Sequence, residues 1–197
     1  MIITLASFKG GVAKSTSAIH IAAYLAKKGK TVLADGDLNR SALHWSERGQ
    51  SKPFSVFDQD NIEQAGEFNH LVIDTPARPS EDELKALARS SDLLIIPTQP
   101  STFSLEALIA TVGTLHELPR ERYKILLTCV PPHPSREGQK AREALKKLEL
   151  PIFKGWIRRM AIYLKAENLG MPVYALKDAR ASEAWSDYEA IGQEIMQ

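Results

Sequence analysis

The chain has 197 residues, 44% of them hydrophobic, with 25 Lys and Arg against 24 Asp and Glu. That length buries one sizeable core, and neither a bilayer-spanning apolar run nor a basic-plus-apolar leader is found, so a soluble cytosolic protein is expected. The single cysteine, Cys129, excludes an internal disulfide and a cysteine-built zinc or iron–sulfur site; in its apolar segment it reads as a small buried hydrophobe.

Residues 2–6 are an apolar run that gives way to a glycine-containing turn. From 15 to 28, Ile19, Ala22, Ala23 and Ala26 recur at helical spacing, so the chain opens as strand, loop, helix. Gly29 stops that helix, and a second strand at 31–34 runs into Asp35-Gly36-Asp37. Further strands are predicted at 54–57, 70–73, 93–96, 124–128 and 152–155, with helices at 81–89, 103–117 and 137–148. No linker, repeat or low-complexity tract interrupts the alternation, so one domain over 1–197 is expected. The pattern predicts an α/β fold, a doubly wound and mostly parallel sheet with helices on both faces. Ligands of such sheets sit at the carboxyl ends of the strands, which is where the unusual residues fall.

The first loop reads Ser7-Phe8-Lys9-Gly10-Gly11-Val12-Ala13-Lys14-Ser15-Thr16. Between a strand and a helix it has the context of a phosphate cradle: Gly10 and Gly11 let successive N–H groups turn inward, and the helix adds its positive end. Lys14 would bring an ammonium to the β- and γ-phosphates, and Ser15 a hydroxyl to Mg²⁺, a hard cation that prefers oxygen. The strict phosphate-loop pattern asks for glycine where Phe8 and Ala13 stand, so that pattern alone misses this chain.

Lys9-Gly10-Gly11-Val12-x-Lys14-Ser15 resembles the deviant Walker A box of the ParA/MinD ATPases. The resemblance implies the P-loop NTPase fold, ATP and Mg²⁺ as ligands, and an ATP-dependent homodimer in which Lys9 reaches the phosphates of the other subunit. It implies that Asp37 positions the attacking water, that Asp35 supports the magnesium shell, and that Asp74, in Leu71-Val72-Ile73-Asp74-Thr75-Pro76, holds the metal through water. Lys9, Lys14 and Asp37 then form the catalytic set, and residues 9–16 bind ATP. Ile95 to Ser101 resembles a segment near the dimer interface, and Leu127-Thr128-Cys129-Val130-Pro131 the strand end beside the base, which adds Thr128 and Pro131. Residues 157–163 and 170–173 resemble the C-terminal part of small ParA proteins that position plasmids or other cargo. A ParB-like or other small adaptor on the cargo would stimulate the ATPase.

The net charge of +1 conceals segregation: residues 120–180 carry a net +8, and the stretch from Ala181 holds Glu183, Asp187, Glu189 and Glu194 with no base. Lys140, Arg142, Lys146, Lys147, Arg158 and Arg159 are the candidates for DNA-phosphate contacts. Without aromatic interleaving or a helix-turn-helix signature, the expected binding is sequence-independent and salt-sensitive, on the nucleoid. The rivals are a MinD-like membrane cycler, disfavoured by the acidic C-terminal stretch, a metabolic P-loop ATPase that ignores DNA, and a nucleotide-binding scaffold with little turnover. His20, His44 and His70 read as packing or surface residues.

Overall fold

The protein is described here by a computed structural model covering residues 1–49, 52–115 and 119–197. Among these residues six strands, β1 (Ile2–Ser7), β2 (Thr31–Asp35), β3 (Ser55–Asp58), β4 (His70–Ala77), β5 (Leu93–Thr98) and β6 (Tyr123–Leu127), form one sheet. Their order is β3-β2-β4-β1-β5-β6, with every pairing parallel. The chain winds from β1 outward to β3, returns through β4 beside β1, and then winds the other way. The strand order therefore reverses around β1, and the loop that follows β1 opens at that reversal.

Among the described residues seven helices cover the faces: α1 (Lys14–Leu25), α2 (Ser41–Arg48), α3 (Glu81–Ser90), α4 (Thr102–Val112), α5 (Glu137–Lys147), α6 (Ile162–Asn168) and α7 (Ala181–Ile195). Successive strand residues point to opposite faces, and the core divides accordingly. Ile95 and Leu126 pack with Ile3, Leu5 and residues of α1, α2, α6 and α7, whereas Leu94, Ile96, Ile125 and Leu127 pack with α3, α4 and α5. In α7 the buried stripe is Ala181, Ala184, Trp185, Tyr188, Ile191 and Gly192, the helical period of a one-faced helix. The ends of α2 and α6 meet where Gly49 lies against Gly170, so closely that a Cβ on either would overlap the other's backbone.

Two predicted elements are corrected. Residues 152–155 do not form a strand: Ile152 makes an isolated bridge to Ile125 and Arg158 another to Val130. The reason is local, since the amides of Lys154 and Gly155 donate to the Glu194 carboxylate at 3.0 Å each instead of to a neighbouring strand. The helix expected at 103–117 ends at Val112 and tightens into a 3₁₀ turn at Gly113–Leu115; glycine is a poor helix former, and the rest of that prediction lies outside the described residues. The helices α2, α6 and α7 went unassigned in the sequence. Cys129 is half-buried and has φ +50°, so it is a strand-end turn residue as much as a core one.

Candidate functional site

The loop between β1 and α1 curls through two left-handed residues, Gly11 at φ +77° and Ala13 at φ +57°, ψ +35°. Ala13 is the N-cap of α1 and offers no side-chain cap, so the amides of the first turn at Lys14, Ser15 and Thr16 keep no side-chain acceptor. Two loop carbonyls are already engaged: Thr128 Oγ1 donates to Val12 at 2.8 Å, and Gln99 Nε2 donates to Gly11 at 2.8 Å. What remains is a concave run of donors around a cavity of about 260 Å³, lined by residues 9–16 with Ser7, Asp37, Asn39, Trp45 and Tyr163 among its walls. Backbone donors at a helix N-terminus suit a phosphate.

The charge inside this cradle is concentrated on one buried cation. Lys14 Nζ donates to Asp37 Oδ2 at 3.0 Å and to Asp74 Oδ1 at 2.5 Å. Burial pushes the Asp74 carboxyl above its usual range, with the Lys14 ammonium and Ser15 hydroxyl pulling the other way. Burial also acts upward on Asp37, but it is outweighed by bonds from the Asn39 backbone, Lys14 and the Asn39 amide, leaving Asp37 lowered. The two acids around one lysine therefore differ because Asp74 is fully buried and Asp37 opens toward solvent.

Asp74 Oδ2 is buried with no hydrogen-bond partner among the described residues. An acceptor of that kind, with the Ser15 hydroxyl nearby, is an all-oxygen donor set that fits Mg²⁺. Among the described residues no group of three or more His, Cys, Asp or Glu could cage a metal, and a cation that keeps its waters and shares phosphate oxygens does not require one. Asp74 lies within β4, three residues before its end, and not at a strand terminus as expected.

Several expected site residues are placed differently. Asp35 ends β2 as predicted, but Oδ1 accepts from Asp37 N, and Oδ2 from Ala42 N and Leu43 N, both at 2.9 Å. Its carboxylate caps the start of α2, and its charge acts on the neighbouring Asp74 carboxyl. Thr128 is fully buried and braces the loop through Val12 and Thr98; Pro131 lies on the wall of a separate pocket of about 340 Å³ with Trp156 and Arg158. Lys9 is exposed, its Nζ 3.4 Å from Ser104 Oγ on α4.

The basic candidates divide in the same way. Arg158 is held by Asp187 and Glu183 of α7, with N···O distances of 2.8 and 2.6 Å, and Arg142 stacks 4.1 Å over Trp156 while reaching the Gly155 carbonyl. Lys140, Lys146, Lys147 and Arg159 are exposed and have no ion-pair partner among the described residues. His20, read as a packing residue, is buried: its Nδ1 meets the Thr16 carbonyl at 2.7 Å and its Nε2 accepts from Val173 N at 3.0 Å. Trp45, Tyr163 and Asn39 are cavity-wall residues that sequence reasoning missed; no spacing in the sequence relates α2 and α6 to the first loop.

Residues 3–173 match the model of the CobQ/CobB/MinD/ParA nucleotide binding domain. A maintenance of carboxysome distribution protein A from Gloeobacter kilaueensis is 30% identical over 98% of this chain and 93% of its own length. Among solved structures, a putative plasmid partition protein from Borrelia burgdorferi bound to AMPPNP superposes with a TM-score of 0.75 at 21% identity, covering 99% of this chain and 98% of the other. MinD from Aquifex aeolicus gives 0.72 at 20% identity, covering 99% and 96%. At these identities the two structures establish the fold. No described helix is long and apolar enough to cross a membrane.

Proposed function

The chain belongs to the CobQ/CobB/MinD/ParA nucleotide-binding family, and from that premise we propose that it is a ParA-type Mg-ATPase that pairs with a second copy when ATP is bound, grips DNA without regard to sequence, and so positions a cargo. The relative in Gloeobacter is named for carboxysome distribution and the Borrelia protein for plasmid partition, which supports a protein compartment or a replicon as the class of cargo. A small adaptor on that cargo is the expected stimulator, and the nucleoid the expected place of work.

The observation that carries this reading is the buried Lys14 held between Asp37 and Asp74 at the mouth of an amide-lined loop. An arriving polyphosphate offers Lys14 better-matched anionic partners than two carboxylates it must share. Transfer of the ammonium to phosphate oxygens frees Asp37 Oδ2 to orient a water, while the first-turn amides hold the phosphates in place. Mg²⁺, when bound, neutralises charge on the phosphates, with Ser15 and Asp74 as the residues that would hold it. Lys9, exposed beside the loop, is free to extend toward a facing subunit. On the DNA side the contacts fall to Lys140, Lys146, Lys147 and Arg159, with Lys140 and Lys147 seven residues apart on one face of α5. Arg158 and Arg142, engaged within the fold, shape that surface instead of contacting DNA.

The test is binding to random-sequence duplex DNA with ATP, ADP or no nucleotide at two salt concentrations. ATP-dependent binding is expected, weakened in Lys9→Ala and in a Lys146→Ala/Lys147→Ala double variant, the latter with a salt slope shallower by about 1–2. Protein that binds ATP yet ignores DNA in every state would overturn the DNA half of the proposal.

A further inference from the structure

Ser7 is the last residue of β1 and is 1% exposed, yet its Oγ has no hydrogen-bond partner among the described residues. A buried hydroxyl without a partner costs roughly 1–3 kcal/mol, so its presence asks for a reason. The backbone supplies a direction. The β1–β4 ladder pairs Leu5 with Asp74 and then slips, so that Ser7 pairs with Ala77; an irregularity of this kind at a strand end re-aims a side chain. Here it places Ser7 on the wall of the phosphate-loop cavity. The Ser7 carbonyl accepts from Arg78 N at 2.7 Å, which fixes the residue from the backbone while leaving the hydroxyl unpaired. The neighbouring strand carries the other unpartnered oxygen, Asp74 Oδ2. Ser7 lines the cavity itself, and Asp74 meets it through Lys14, whose ammonium its other oxygen accepts; two orphaned oxygens on paired strands share a single explanation more readily than two separate ones.

We infer that the Ser7 hydroxyl is a ligand-binding group of this site, donating its hydrogen to an oxygen at the terminal-phosphate end of the bound nucleotide, either a phosphate oxygen or a metal-bound water. The inference rests on the nucleotide reading above and deepens it. The partner must be rich in acceptors, because the hydroxyl is the donor the cavity has left over. Ser7 adds a donor to those of the loop amides and Lys14, and it comes from the end of a central strand of the sheet.

A purely structural hydroxyl and a ligand-binding one make opposite predictions for Ser7→Ala. Removing an unpaired buried hydroxyl should raise the ligand-free melting temperature by about 2–4 °C, while affinity for a non-hydrolysable ATP analogue, read from the ligand-induced melting shift, should weaken about tenfold. ADP binding should change less than binding of the analogue. Weakening seen with and without Mg²⁺ assigns the contact to a phosphate oxygen; weakening seen only with Mg²⁺ assigns it to a metal-bound water. A variant that binds the analogue as the wild type does, or that melts lower without ligand, overturns the inference. Wild-type protein that shows no melting shift with any nucleotide overturns the underlying nucleotide reading instead.

Discussion

Ala13 occupies the one backbone position in the loop where the fold asks for left-handed geometry from a residue with a Cβ, at φ +57° and ψ +35°. For an L-residue that geometry costs roughly 1–2 kcal/mol, through the approach of Cβ to the following carbonyl. Ala13→Gly removes the clash but frees the unfolded chain, which takes back roughly 0.5–1 kcal/mol. The net expectation is a gain of about 0.5–1 kcal/mol, which for a chain of this size moves the melting temperature up by roughly 1–4 °C. The same chemical change elsewhere has the opposite sign: Ala86→Gly, on the exposed side of α3, should cost about 1 kcal/mol. Urea unfolding of both variants against wild type supplies the comparison. If Ala13→Gly destabilises as Ala86→Gly does, the left-handed assignment at Ala13 is wrong, and the account of how this loop holds its curl without the usual glycine fails with it.

Two further outcomes follow from buried groups. His20 is held neutral, its pKa lowered by burial from 6.5 to about 4, with the Thr16 carbonyl pulling it upward; the unfolded chain takes up the proton first, so stability intact above pH 6.5 should fall by about 3 kcal/mol on the way down to pH 4. His20→Gln should flatten that part of the pH–stability curve, and an unchanged curve would refute the assignment. Asp35→Asn should cost about 2 kcal/mol of folding stability by disrupting the cap on α2, while the Mg²⁺ dependence of nucleotide binding persists; loss of Mg²⁺ dependence with unchanged stability would return Asp35 to the metal.

The sheet was legible in the sequence because buried parallel strands are apolar runs bounded by loops, and 31–35 and 93–98 are of this kind. The phosphate loop was legible because its chemistry is contiguous. What escaped depends on partners distant in sequence. The +8 of residues 120–180 summed Arg158 with Lys146, but Arg158 is matched by Asp187, 29 residues on, and Lys124 by Glu194, 70 residues on. The acidic stretch from Ala181 thus folds back to neutralise part of the basic one. Residues 152–155 have strand composition, and only the Glu194 carboxylate diverts their amides. Asp35 and Asp37 are indistinguishable by type; where α2 begins, at Ser41, six residues after Asp35 and four after Asp37, decides which faces the cavity and which caps that helix.

The abutment of Gly49 and Gly170 bears on anyone who recombines this chain with a relative. Gly49 is required by the backbone of Gly170, 121 positions away in sequence, and Gly170 by Gly49 together with the Trp45 carbonyl and its own φ of +59°. A chimera whose crossover falls between them inherits one half of the contact from each parent, and it assembles only when both parents keep glycine at the respective end. Crossovers before position 49 or after position 170 carry the pair intact, and those are the joints at which segments of this molecule can be exchanged.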